Sequence, residues 1–121
     1  MLQGNFFTVI SIQTETASVK AVLEINAAHR IFDGHFPGIP VVPGVCMMQM
    51  VKEIVEDVFG RDTKLVKAEH MKFLTVINPQ ENKTIRLDLS YSTPEKGKII
   101  VVATLFNDDI TYFKFKGLFH S

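Results

Sequence analysis

Apolar and polar residues alternate along most of this chain, and the alternation changes period once. Val19, Ala21, Leu23, Ile25 and Ala27 fall on one side of an extended segment, with Lys20, Glu24 and Asn26 opposite. A two-residue period of this kind marks a strand with one buried face. Residues 6–14 read as a preceding strand, joined through residues 15–18. Ile85, Leu87, Leu89 and Tyr91 alternate with Arg86, Asp88 and Ser90. Residues 98–106 are apolar on both faces, which predicts a central strand covered on both sides. Residues 65–77, ending at Asn78-Pro79, predict one strand or two with a bulge. In the last strand Phe113, Phe115 and Phe119 are the inward face. Short turns at residues 94–97 and 107–109 make these strands an antiparallel meander.

The change of period falls at residues 43–59, where the pattern becomes helical. Pro43 suits the first helical position, where its missing N–H costs little, and Gly60 suits the end. From Val45 to Val51 the helix is apolar all round except at Gln49. That is the pattern of a helix enclosed by sheet and by a partner. Farther along, Lys52, Glu53, Glu56 and Asp57 share a broad arc with Gln49, so two readings of Gln49 stand open. It is either a site residue or the inner end of a solvated stripe. One helix among antiparallel strands gives an α+β fold, a sheet wrapped on one long helix, as a single domain over 1–121.

The stretch from Gly34 to Gln49 reads G-H-F-P-G-I-P-V-V-P-G-V-C-M-M-Q. Prolines and glycines at this density predict a constrained loop over 28–39, pinned to the core by Ile31 and Phe32. The loop holds His35 and runs into the helix start at Pro43-Gly44. The first N–H groups of a helix lack intrahelical acceptors, and the helix dipole favours negative charge in front of them. An imidazole held beside such a terminus suits proton abstraction next to a carbonyl. His35 would take the proton, and the N–H groups of Gly44 and Val45 would hold the enolate oxygen. Gly38 would either let backbone approach a ligand or serve only the turn.

Composition narrows the partners. Thirteen basic and thirteen acidic residues cancel, so neither a nucleic acid nor an anionic membrane surface is expected. The single cysteine, Cys46, excludes an intrachain disulfide and fits a reducing compartment. It reads as a small buried apolar residue. No signal peptide is expected at the N-terminus, and the apolar run at 39–48 is too short to span a bilayer. A cytoplasmic protein is the expectation. His29, His70 and His120 lack metal-ligand spacing and read as structural or surface residues, so no metal is expected.

The run His35-Phe36-Pro37-Gly38-Ile39-Pro40-Val41-Val42-Pro43-Gly44-Val45 resembles the signature of the hotdog-fold beta-hydroxyacyl-acyl-carrier-protein dehydratases of fatty-acid synthesis. Lys72-Phe73 and Asn78-Pro79 are similar to a later strand and turn of that family. The resemblance spans the chain and implies a hotdog fold and a hydro-lyase acting on a beta-hydroxyacyl thioester to give the trans-2-enoyl thioester. It implies His35 and position 49 as catalytic, with Phe36, Gly38, Gly44 and Val45 at the substrate. It also implies a site shared across a homodimer or a trimer of dimers. No cofactor is implied, because the phosphopantetheine arm of acyl carrier protein or CoA arrives with the substrate.

The sequence departs from that family at one place. Fourteen positions after the histidine the family has glutamate or aspartate, and this chain has Gln49. An amide hydrogen-bonds a hydroxyl but has no acid proton to give. Asp33 and Glu53 are the nearest replacements. Glu53 lies one turn on, about 6 Å along the axis, and is expected to point elsewhere. Two alternatives follow: a hotdog thioesterase, and a non-catalytic acyl-binding subunit paired with a carboxylate-bearing homologue. Lys64, Lys67 and Lys72 with Arg61 form a basic set that reads either as a carrier-docking patch or as a solvated face.

Overall fold

The computed structural model describes residues 2–33 and 40–121. Its strands are β1 (Phe7–Glu15), β2 (Ser18–Ile25), β3 (Lys64–Phe73), β4 (Thr84–Ser92), β5 (Lys98–Asn107) and β6 (Ile110–His120), with one α-helix, α1 (Gly44–Phe59). All six strands form one antiparallel sheet in the order β1-β2-β4-β5-β6-β3. The alternating segments thus fold as expected, but the connectivity is only partly a meander. β4, β5 and β6 follow one another, whereas β3 crosses to the far edge beside β6 and leaves β4 to pair with β2. Periodicity identifies strands and faces, and it carries no information on which neighbour a strand selects.

One face of the sheet packs on α1. Cross-strand partners on that face are apolar throughout: Leu23 opposite Ile85, Ala21 opposite Leu87, Leu87 opposite Leu105, and Ala103 opposite Phe115. Phe113, Phe115 and Phe119 are all buried there, as the alternation requires. From the helix, Cys46, Met47, Met50, Val51, Ile54 and Val55 complete the core. Burial of aliphatic and aromatic side chains on this scale stabilises the fold by roughly 1.5–3 kcal/mol per fully buried residue before conformational entropy is counted. Phe32 joins the core from a short 3-10 helix (Arg30–Phe32), with its ring 5.7 Å from Phe6. That is the pinning anticipated for the loop.

β5 is central, and its outer face is partly open: Val102 is 45% exposed, because no second layer of the described residues lies over it. β3 is exposed along its whole length and bulged at two places, between Leu65 and Lys67 and between Ala68 and His70. β6 makes room for it with Gly117, where a Cβ would stand 2.6 Å from the Lys67 carbonyl oxygen and 2.5 Å from the Phe115 ring.

Candidate active site

Pro43 precedes α1 in an extended conformation and no side chain caps the helix. The Cys46 and Met47 N–H groups both donate to the Pro43 carbonyl. Among the described residues, no acceptor serves the N–H of Gly44 or Val45. The approach to the helix is fixed by the Val42 N–H, which donates to the Ile77 carbonyl at 2.9 Å. Over this terminus lies an apolar cavity of about 360 Å³, lined by Val42, Gly44, Met47, Phe73, Leu74 and Val76 among others. Donors at a helix start beside an apolar cleft suit a carbonyl group with a hydrocarbon chain attached.

Along α1, Gln49, Lys52, Glu53 and Glu56 fall on one face by their spacing and line a larger cavity of about 750 Å³. Thr63, Lys64 and His120 line it from the sheet side. Part of the face is ordered by bonds within it, whereas Asp57, at its far end, is exposed. Glu53 is only 2% exposed, and the Glu56 side chain is 14% exposed. Glu56 accepts from the Thr63 N–H at 2.7 Å and from Lys52 at 3.0 Å. Burial alone would raise its carboxyl pKa, but the Thr63 and Lys52 bonds outweigh burial and hold it below the usual range.

Gln49 donates from Nε2 to Glu53 Oε2 at 3.0 Å. The expectation that Glu53 points elsewhere is therefore corrected. Axial rise separates the two backbones by one turn, but side chains four residues apart lie on the same face and meet. That spacing was the signal available in the sequence. The contact of the Phe73 ring with Gly44 had no comparable signal, because it joins the helix start to the far edge of the sheet.

His35, Phe36 and Gly38 lie outside the described residues. Gly44, Val45 and Gln49 are all on α1, with Gly44 at the apolar cavity and Gln49 at the polar one. Asp33 is exposed. His29 accepts the Ile31 N–H at Nδ1 and meets Phe6 edge-on, a structural role. Cys46 is buried, and burial raises its thiol pKa, as suits a core residue. Among the described residues, no group of three or more His, Cys, Asp or Glu side chains could hold a metal ion. No described helix is long and apolar enough to cross a membrane.

This architecture is the hotdog fold of dehydratases and thioesterases. The dehydratase heterocomplex ApeI:P from Xenorhabdus doucetiae superposes with a TM-score of 0.74 at 20% identity, over 93% of this chain and 96% of that one. A phenylacetic acid degradation-related protein of Ralstonia eutropha, described as a candidate thioesterase, superposes with a TM-score of 0.65 at 13% identity, over 95% and 84%. In sequence, the chain is 26% identical over 104 residues to the 3-hydroxyacyl-[acyl-carrier-protein] dehydratase FabZ of Chlamydia trachomatis, covering 78% of this chain and 68% of that protein. It is 21% identical over 106 residues to FabZ of Fusobacterium nucleatum, covering 84% and 74%. The ApeI-like family profile, that of the ApeI dehydratase, matches residues 11–114. The chain belongs to the ApeI-like dehydratase family.

Proposed function

We propose that this protein dehydrates a beta-hydroxyacyl thioester carried on acyl carrier protein, with His35 as the base and Gln49 of the second copy in a dimer as the polar group that receives the substrate hydroxyl. The principal support is family membership combined with an uncapped helix start at Gly44 that opens on an apolar cavity. The thioester carbonyl would face the Gly44 and Val45 N–H groups, with Phe36 and Gly38 completing the acyl pocket. The His35 imidazole removes the α proton, and the C–H electrons become the new C=C bond. The Cβ–O bond breaks, and the imidazolium returns the proton to the departing hydroxyl, which leaves as water. The amide at position 49 gives no proton, so one residue serves as both base and acid. Losing a dedicated general acid costs about 10²–10⁴ in rate, and turnover is correspondingly slow. The reaction needs no cofactor or metal, and the protein works in the cytoplasm, where carrier and substrate are.

The working unit is a dimer, or a trimer of dimers, built on the β3 edge. Val66, Phe73, Leu74 and Val76 are each half or more exposed there, and Val45 is 76% exposed on the helix. An apolar surface beside an open strand edge favours a second copy or a homologue over water. The amide at position 49 also favours a second reading, in which the partner is a homologue that brings the missing carboxylate.

The test is incubation of the protein with a panel of beta-hydroxyacyl carrier thioesters, read by mass spectrometry, with His35→Ala in parallel. Loss of one water with the carrier retained, abolished in His35→Ala, is the expected result. Free acid plus thiol would make the protein a thioesterase. No change with any substrate, restored by adding a carboxylate-bearing homologue, would make it a non-catalytic subunit.

A further inference from the structure

Glu53 is the one buried charged residue among those described. A carboxylate at 2% exposure requires donors, and three groups supply them. Glu53 Oε2 accepts from the Leu2 N–H at 2.8 Å and from Gln49 Nε2 at 3.0 Å, and Oε1 accepts from the Gln3 N–H at 2.8 Å. The donating backbone is itself fixed. The Phe6 N–H donates to the Leu2 carbonyl at 2.7 Å and the Gly4 N–H to the Phe7 carbonyl at 2.6 Å. Glu53 is therefore anchored by two backbone bonds that do not involve Gln49.

Both Glu53 oxygens already act as acceptors for backbone N–H groups, so the amide beside them turns its donor, Nε2, toward Oε2. The orientation of the Gln49 amide is thus fixed by its neighbour's chemistry. Oε1, the sole acceptor of that amide, has no donor among the described residues, and Gln49 lines the 750 Å³ cavity. We infer that Glu53 is a positioning residue that holds the Gln49 carboxamide with its carbonyl oxygen presented as the acceptor for the substrate hydroxyl. This inference deepens the dehydratase reading and rests on it. Position 49 then recognises the hydroxyl as a donor and sets its orientation, with the side chain ordered before substrate arrives.

The experiment is a double-mutant cycle on dehydration, comparing the parent, Glu53→Gln, Gln49→Ala and the double variant, with kcat and KM measured per folded molecule. Side-chain amide NMR of Gln49 accompanies it, the signals being assigned by their loss in Gln49→Ala. Glu53→Gln keeps the size but sets an NH2 group against the backbone donors of residues 2 and 3. Its kcat should fall about 10- to 100-fold, the effect of a misplaced contact, with little change in KM. In the double variant kcat should match that of Gln49→Ala within about twofold, because the effect of Glu53 passes through Gln49. Losses that multiply, or an unchanged kcat in Glu53→Gln, overturn the inference. In the parent, one Gln49 amide proton should exchange slowly and be shifted by the carboxylate, and Glu53→Gln should move it. A freely exchanging amide in the parent overturns the inference even if Glu53→Gln fails to fold. If the parent has no turnover, the dehydratase reading fails by itself and the NMR still decides whether Glu53 orients Gln49.

Discussion

The ring of Phe73 fills the space that a side chain at Gly44 would occupy, with a Cβ there only 2.9 Å from Cε1 and 3.0 Å from Cζ. An aromatic from the far edge strand thus packs against Gly44 at the side of the α1 start, and it is held by stacking on Phe113 at 4.8 Å. The bare helix terminus and the edge strand are parts of one surface.

Gly44→Ala should therefore separate stability from activity. The Phe73 ring is half exposed and can shift by a few tenths of an ångström, while alanine gains up to about 1 kcal/mol of helix propensity. The melting temperature should change little. Turnover should fall at least about tenfold, because the displaced ring narrows the cleft in front of the helix donors. Thermal denaturation and initial rates measured on one preparation would check both.

The open β3 edge predicts association. Sedimentation equilibrium at micromolar concentration should give a dimer or a multiple of it. Val66→Lys, a charge in the exposed apolar edge, should shift the population toward monomer without unfolding it. A folded monomer alone in the parent would remove the shared-site arrangement.

Glu56 predicts a pH dependence of stability. Its folded-state pKa lies below the ordinary value of 4.5, so its stabilisation is fully present above that value and is lost as pH falls through the folded value. Denaturant melts of the parent should weaken below about pH 4.5, where the carboxyl begins to protonate. Glu56→Gln should lower stability near neutral pH by about 1.5–3 kcal/mol, as for hydrogen bonds to a charged group. It should also flatten this part of the acid limb.

Gly117→Ala should be strongly destabilising. Its Cβ would meet the Lys67 backbone carbonyl, which cannot move without parting β3 from β6. Overpacking of this kind typically costs about 1–3 kcal/mol, and the loss should appear in the denaturation midpoint.

Much of this was legible in the sequence, and what was not has physical reasons. The buried faces of β2, β4 and β6 and the limits of α1, from Pro43 to the left-handed Gly60, follow from period and from proline and glycine. The position of β3 beside β6 does not, because an exposed strand broken by two bulges has no dominant hydrophobic period. Gln49 was identifiable as a polar residue in an apolar run. Its bond to Glu53 was visible as an i, i+4 pair, but the backbone pair of Leu2 and Gln3 that anchors Glu53 lies some 50 residues away. Local pattern does not encode a contact at that separation.

The most direct measurement is the rate of enoyl-thioester formation by Gln49→Glu relative to the parent, taken with stability across pH. Glutamate has nearly the volume of glutamine, and at position 49 it would stand within hydrogen-bonding distance of Glu53. Two carboxylates so placed do not both ionise readily, so the pKa of the pair rises and one proton is retained. When the new carboxyl turns from Glu53 to the departing hydroxyl it can release that proton, the acid the parent lacks, and the rate should rise by about tenfold or more, within the 10²–10⁴ that general acid catalysis contributes. A carboxyl whose folded pKa is raised stabilises the fold fully below its unfolded value, and that contribution is lost as pH rises through the folded value. The variant should therefore be less stable than the parent toward neutral pH. An unchanged rate with unchanged stability across pH would contradict the placement of Gln49 in the active site.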